Sequence, residues 1–424
     1  MNGAESLVQT LLGSGVDTCF SNPGTSEMHF VAALDHIPGM RCVLGLFEGV
    51  VTGAADGYYR MAEKPAATLL HCGPGLANGL ANLHNARRAQ SGVVNIVGDQ
   101  ATYHRPYDAP LTADTEGWAR PVSAWVRTAM RAATVGADAA VAVQAARTSP
   151  GQIATLILPA DTAWTDGGEV GAPLPVQPAP HIAPNVVQQI ARVLRSGEPA
   201  LLLLGGKALR AGALESAHRI AAATGARLMA AGSNARVERG RGRVPIERVP
   251  YPVDQAVKAL AGIRHLILVG AGDPVGFFAY PGKPGRLAPP DAAVHVLTRA
   301  EHDHAEALAH LCDVLGAPAA PLSEPAHPSG AARGAPTPEA IAQTVAALLP
   351  EQAIVVDEAV TTGRGFFPAT HGAAPHDWLQ LCGGAIGEGI PLAVGAAIGA
   401  PGRRVVGLQA DGSVMYTVQG VWTQ

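Results

Sequence analysis

Along the amino-terminal part of the chain, apolar positions switch repeatedly between helical and strand-like spacing. The spacing predicts helices over 4–12, around 30–34, over 48–62, 76–88 and 137–148. Between them, short runs rich in apolar and β-branched residues predict strands over 17–20, 41–46, 66–71, 92–97 and 153–157, with residues 72–75, CGPG, as a loop. Such alternation specifies a parallel, doubly wound sheet, whose functional groups gather at the carboxyl ends of its strands.

The pattern lapses over 167–184, a Gly- and Pro-rich stretch that reads as a linker. A second α/β unit follows, with helices at 185–194 and 212–224 and strands at 199–204, 227–230, 265–269 and 293–297. After an Ala- and Pro-rich linker at 317–338, a third unit opens with a helix capped by Thr337 and a strand at 353–356 leading to Asp357 and Glu358. The expected fold class is therefore α/β, with three doubly wound parallel-sheet domains at 1–166, 185–316 and 337–424. The last has little chain after its final strand and is expected to be incomplete.

Composition narrows the function. The chain has 424 residues, 48% apolar and 15% charged, enough to bury a sizeable core in each domain. Its net charge of -4 gives no electrostatic case for nucleic acid or an anionic membrane. No run reaches the roughly 18 apolar residues of a membrane helix, and the first residues lack the pattern of a signal peptide. The five cysteines have no C-x-x-C spacing, so a cytoplasmic compartment without zinc or disulfide frameworks is expected.

The candidate chemistry lies at predicted strand ends. Glu48 begins a helix beside Leu46, Phe47, Val50 and Val51. Apolar neighbours penalise an ionised carboxyl while a helix N-terminus favours it, so Glu48 either shares a proton or simply complements the helix dipole. The turn 21–27, SNPGTSE, presents Thr25 as a helix cap or as a hydroxyl facing a substrate. His71 ends another strand, where it is either a structural hydrogen-bonding residue or the third member of a convergent set with Thr25 and Glu48. Near the end of the chain, Asp411-Gly412-Ser413 follows a strand and offers a carboxylate with open backbone: an Mg²⁺ ligand, or an Asp-Gly surface turn. Residues 205–207, GGK, read as a tight turn, and the basic run 236–243 as a solvated loop. His302, His304 and His310 read as surface residues.

Taken as a set, the runs NPGTSE (22–27), FEGVVTGAADGYYR (47–60), GPG (73–75) with Asn78, GGAIGEGIP (383–391) and ADGS (410–413) resemble the thiamine diphosphate enzymes of the acetolactate synthase and benzoylformate decarboxylase family. The likeness runs through the whole chain and is nearest to acetolactate synthase large subunits. It implies a pyrimidine-binding first domain, a central nucleotide-type domain that in the synthases holds FAD, and a diphosphate-binding last domain that holds Mg²⁺. By the same resemblance Glu48 contacts the aminopyrimidine, Gly384, Ala385 and Ile386 line the cofactor with Ile386 as its apolar prop, and Asp411, Gly412 and Ser413 meet Mg²⁺ and diphosphate. His71 and Thr25 match active-site His and Ser positions of benzoylformate decarboxylase, whereas the stretch 274–280, PVGFFAY, carries Phe where that enzyme has a second His. Ala410 replaces the family's usual Gly, and the family's Asn metal ligand would lie beyond residue 424.

The implied activity is thiamine diphosphate- and Mg²⁺-dependent decarboxylation of a 2-oxo acid such as pyruvate, with carboligation to a second 2-oxo acid. Two alternatives stand beside it: simple decarboxylation, and a catalytically silent homologue that binds cofactor or a partner subunit. A homodimer or homotetramer is implied, and the resemblance allows a regulatory small subunit.

Overall fold

The computed structural model describes residues 1–322 and 326–424. Its contacts divide the chain into two compact units: Met1–Pro178 with Val356–Ala359 and Leu381–Gln424, and Ala179–Val355 with Val360–Gln380. No helix among the described residues is long and apolar enough to cross a membrane.

The first unit begins with α1 (Gly3–Gly13), β1 (Thr18–Asn22), α2 (Met28–His36), β2 (Arg41–Leu44), α3 (Glu48–Ala62) and β3 (Ala66–Leu70). It continues through α4 (Cys72–Ala89), β4 (Val93–Asp99), α5 (Thr115–Ala119), β5 (Trp125–Thr128), α6 (Val135–Arg147), β6 (Ile153–Pro159) and α7 (Ala160–Trp164). The six strands form one sheet in the order β2-β1-β3-β4-β6-β5, and every pairing is parallel. Its central strands are buried along their whole length, as expected of a parallel sheet covered by helices on both faces. One apolar cluster joins α1 and α6 to one face, and another joins α3 and α4 to the other.

Helix α4 departs from expectation, because it starts at Cys72 and absorbs the CGPG stretch read as a loop. Pro74 falls in the first turn, where a missing N–H costs no intrahelical bond. Strand β5 was not predicted from the sequence pattern. It lies on the sheet edge and is only half-buried, so its alternation is weak.

The second unit holds α8 (Pro184–Arg195), β7 (Ala200–Leu204), α9 (Ala211–Thr224), β8 (Arg227–Ala230), β9 (Val237–Arg239), α10 (Val253–Leu260), β10 (His265–Val269), β11 (Ala293–Thr298) and α11 (His304–Leu315). Four of these strands form a parallel sheet in the order β11-β10-β7-β8. Next come α12 (Pro338–Leu348), capped as expected by Thr337, then β12 (Ala353–Glu358), α13 (Phe366–Ala369) and β13 (His376–Gln380). The division between units falls within β12, after Val355.

Two readings in this unit are corrected. The basic run 236–243 is not a solvated loop: β9 pairs antiparallel with β13, and Arg239 is buried with its guanidinium 3.6 Å above the Phe367 ring. Cation–π attraction strengthens when the cation is desolvated, which accounts for an arginine stacked among aromatics. His304 is likewise buried, its Nδ1 2.9 Å from Thr298 Oγ1, and burial pushes its imidazole down to about 4.

The chain then returns to the first unit with α14 (Gly389–Gly399), β14 (Val405–Gln409), α15 (Asp411–Val414) and α16 (Gln419–Thr423).

Candidate active site

Glu48 opens α3, and its placement follows from how that helix packs. Gly53 and Gly57, one turn apart, face α14: a Cβ on Gly53 would lie 2.6 Å from Pro391 Cβ, and one on Gly57 2.1 Å from the Leu392 carbonyl oxygen. From the other side, a Cβ on Gly395 would lie 1.8 Å from the Ala54 carbonyl oxygen. Only glycine permits so close an approach of two helix backbones, so the motif's glycines fix where α3 ends and therefore where Glu48 sits. The carboxylate is 8% exposed, and Asn78 Nδ2 donates to its Oε2 at 3.0 Å. A Cβ on Gly75 would reach 3.0 Å from Oε1, so the glycine keeps the approach to that oxygen open.

Farther along α4, Asn82 and Asn85 form a polar stripe at helical spacing. Asn82 Nδ2 donates to the carbonyls of Gly49 at 2.8 Å and Gly387 at 3.3 Å. Asn85 donates to the Ala385 carbonyl at 2.8 Å and accepts from the Ala385 N–H at 3.2 Å. The glycine-rich loop is thereby tied to α4, the helix whose Asn78 also donates to the Glu48 carboxylate. Gly384 and Gly387 have φ values of +82° and +96°, which bend the loop so that the branched side chain of Ile386 stands 37% exposed.

The backbone N–H groups of this loop do not all face outward. Glu358, 2% exposed, accepts from Gly387 N at 2.6 Å, Glu388 N at 3.3 Å and Gly389 N at 2.7 Å, and from Gln409 Nε2 at 2.8 Å. A carboxylate from the chain already occupies the N-terminus of α14. Deeper still, Arg60 bridges Asp56 at 2.6 Å and Glu388 at 2.8 Å, with all three side chains buried. Burial pushes the Glu388 carboxyl well above the usual carboxylate range, against the pull of Arg60, and its Oε2 has no hydrogen-bond partner among the described residues. Burial also pushes the nearby Cys382 thiol up to about 12.

Asp411 and Gly412 are exposed at the start of α15, just beyond β14. Ser413 is buried, donating to the Ala410 carbonyl at 3.1 Å and accepting from Gln409 Nε2 at 2.7 Å. Its hydroxyl therefore builds the turn, while Asp411 keeps a carboxylate available outside.

Thr25 and His71 border the same cavity at the strand ends, without Glu48 in its wall, and the hydrogen bonds to His71 come from the two residues after Thr25. Thr25 is exposed, whereas Ser26 Oγ stands 3.2 Å from His71 Nδ1 and 3.1 Å from Cys72 Sγ. Glu27 is the hub of the group. Its carboxylate is 1% exposed and accepts from Gly24 N at 2.8 Å, from the Ser26 hydroxyl, and from His71 Nδ1 at 2.8 Å. Room for it comes from β4, where a Cβ on Gly98 would lie 1.5 Å from Glu27 Oε1. Room for the imidazole comes from Gly24, where a Cβ would stand 2.4 Å from His71 Nδ1. These side chains border a cavity of about 310 Å³ whose wall includes Thr25, Ser26, His71, Cys72, Asp99 and Trp164. Burial raises the Asp99 carboxyl above its ordinary value.

Sequence reasoning missed Glu27, Asn82, Asn85 and Glu358. The signal that could have found Glu27 is Gly98, a side-chain-free position in an otherwise bulky buried strand.

A thiamine diphosphate site fits these residues in three respects: a buried carboxyl with one oxygen left open by Gly75, an exposed branched apolar side chain on a positive-φ loop, and a free carboxylate after β14. Mg²⁺ commonly takes only one or two carboxylates and completes its shell with phosphate oxygens and water, so Asp411 suits it.

The sequence comparisons agree with this geometry. Residues 1–118 match the thiamine pyrophosphate enzyme N-terminal TPP binding domain, and residues 366–424 match the C-terminal TPP binding domain. The chain belongs to the thiamine pyrophosphate enzyme family. It is 55% identical to the Mycobacterium tuberculosis protein named "Putative acetolactate synthase large subunit IlvX", over 100% of this chain and 82% of that protein. It is also 28% identical to benzoylformate decarboxylase of Pseudomonas aeruginosa, over 96% of this chain and 80% of that one. Among solved structures, the thiamine diphosphate-dependent 4-hydroxybenzoylformate decarboxylase of Rhodococcus jostii RHA1 superposes with a TM-score of 0.86 at 24% identity, covering 100% of this chain and 83% of its own, which is a likeness of fold.

Proposed function

We propose that the chain carries out thiamine diphosphate- and Mg²⁺-dependent decarboxylation of a 2-oxo acid such as pyruvate, with carboligation to a second 2-oxo acid. The observation that carries the proposal is Glu48: a buried carboxyl at a helix start, held by Asn78 on one oxygen and approachable at the other. Likeness to a protein named as an acetolactate synthase large subunit supports the carboligating outcome.

When bound, thiamine diphosphate supplies a carbon nucleophile and an electron sink for loss of CO₂. Glu48 would hold and return a proton at the aminopyrimidine ring, general acid–base catalysis worth roughly 10²- to 10⁴-fold. Ile386 would support the ring, with Gly384 and Ala385 beside it. Asp411 would ligate Mg²⁺, and the Gly412 and Ser413 backbone would adjoin the diphosphate. His71, oriented through Nδ1 by Glu27, would present Nε2 to the substrate, with Thr25 at the cavity wall.

That last pair favours a second reading, simple decarboxylation, because a buried carboxylate behind an imidazole suits proton delivery to the product carbon. The proposal extends to domains at 1–166, 185–316 and 337–424, to a homodimer or homotetramer in the cytoplasm, and to a central domain compatible with FAD and a regulatory small subunit. Incubation with pyruvate or an aromatic 2-oxo acid, thiamine diphosphate and Mg²⁺, followed by product analysis, tests it. Acetolactate from pyruvate supports carboligation, and an aldehyde alone supports the second reading. Cofactor binding with no product from either acid overturns both and leaves a silent homologue.

A further inference from the structure

We infer that Glu27, His71 and Cys72 form a site for a soft divalent cation of the Zn²⁺ class at the ends of β1 and β3. A carboxylate oxygen of Glu27, a ring nitrogen of His71 and Sγ of Cys72 all lie within 4.8 Å of one another, the one such grouping among the described residues, and Nδ1 is the nitrogen that faces Glu27. Zn²⁺ binds O, N and S donors at about 2.0–2.3 Å in a tetrahedron, which sets ligand separations on the order of 3.3–3.8 Å. The 2.8 Å between His71 Nδ1 and Glu27 Oε2 must widen by less than an ångström-scale side-chain adjustment, and the cavity beside His71 gives it that freedom. Ser26 Oγ, 3.2 Å from Nδ1 and 3.1 Å from Sγ, marks where a fourth ligand or a water would stand.

Charge balance favours the same conclusion. One thiolate and one carboxylate neutralise a dication, which a buried site requires. A thiol ligates a metal as its thiolate, so binding at Cys72 displaces the thiol proton. Binding forms bonds from the cation to sulfur, nitrogen and oxygen, releases the thiol proton to solvent, and moves the imidazole proton from Nδ1 to Nε2. One proton leaves per cation, and His71 no longer has a lone pair facing the cavity.

The site is tested with Co²⁺ or Zn²⁺ on the reduced full chain, in excess Mg²⁺ so that Asp411 does not compete. One Co²⁺ per chain should bind with a thiolate-to-cobalt absorption band, and Zn²⁺ titrations in buffers of different ionisation enthalpy should report release of one proton. Cys72→Ser should remove the band and weaken Zn²⁺ binding at least tenfold, whereas Cys42→Ser should retain both. His71→Gln, a second variant, should weaken binding while keeping the thiolate band. A band that survives Cys72→Ser, no band in the unmodified chain, or binding without proton release overturns the proposal. None of these readouts depends on turnover.

Discussion

Two buried carboxylates in the first unit, Glu27 and Glu358, are about equally hidden and each accepts backbone N–H groups, yet their surroundings differ in kind. Glu358 is saturated by three amides and a glutamine, every partner fixed in the loop or strand it holds. Glu27 takes one amide and one hydroxyl and spends its remaining capacity on an imidazole that borders a cavity. Burial alone thus does not separate a structural acid from a chemical one. The difference lies in whether the last partner is itself a titratable group with a face toward open space.

Substitutions can break or sharpen that contrast. The reference point is Glu48, whose replacement Glu48→Gln keeps shape and removes the acid–base role proposed for it. Turnover should fall by roughly 10²- to 10⁴-fold or more with the melting temperature unchanged, and near-normal activity would sink the role given to it. Glu358→Ala should act in the opposite sense. Leaving three buried N–H groups without an acceptor should cost on the order of 3 kcal/mol, read by urea denaturation, and an unaltered midpoint would show that the loop does not depend on it. Glu27→Gln should lower kcat by about tenfold or more while changing stability little, because the amide is a weaker acceptor for the His71 Nδ1–H that the carboxylate holds at 2.8 Å. Equal loss of stability in the Glu27 and Glu358 variants would erase the distinction between them.

A further prediction concerns the second unit. His304 and His376 are both pushed down to about 4 by burial. A depressed imidazole contributes stability that is present above the unfolded value of about 6.5 and is lost as pH falls through about 4. Melting temperature should therefore decline between those values, and His304→Asn should make the decline shallower. An unchanged slope would remove His304 as a cause.

Much of this arrangement was legible in the sequence. Strand-end positions could be counted from alternating periods, and Glu48 and His71 announced themselves by standing at those ends. What could not be read were partners brought together by folding. Asn85 and Ala385, or Arg60 and Glu388, lie hundreds of positions apart, and no local pattern distinguishes them from solvated polar residues. Arg239 was misread for the same reason, since a basic run gives no sign of the two aromatic rings that later enclose one of its members. The CGPG stretch misleads differently: proline and glycine suggest a loop, although a helix's first turn tolerates both.

The close crossing of α3 and α14 has a mechanical consequence. With Gly53, Gly57 and Gly395 at the crossing, little side-chain cushion lies between the two backbones there, and a strain applied to one helix passes to the other with little damping. The pair should behave as a stiff rod with Glu48 at its tip. An alanine at Gly53 or Gly57 would lever the carboxyl out of alignment from roughly one to three turns away, altering rate without touching a reacting group.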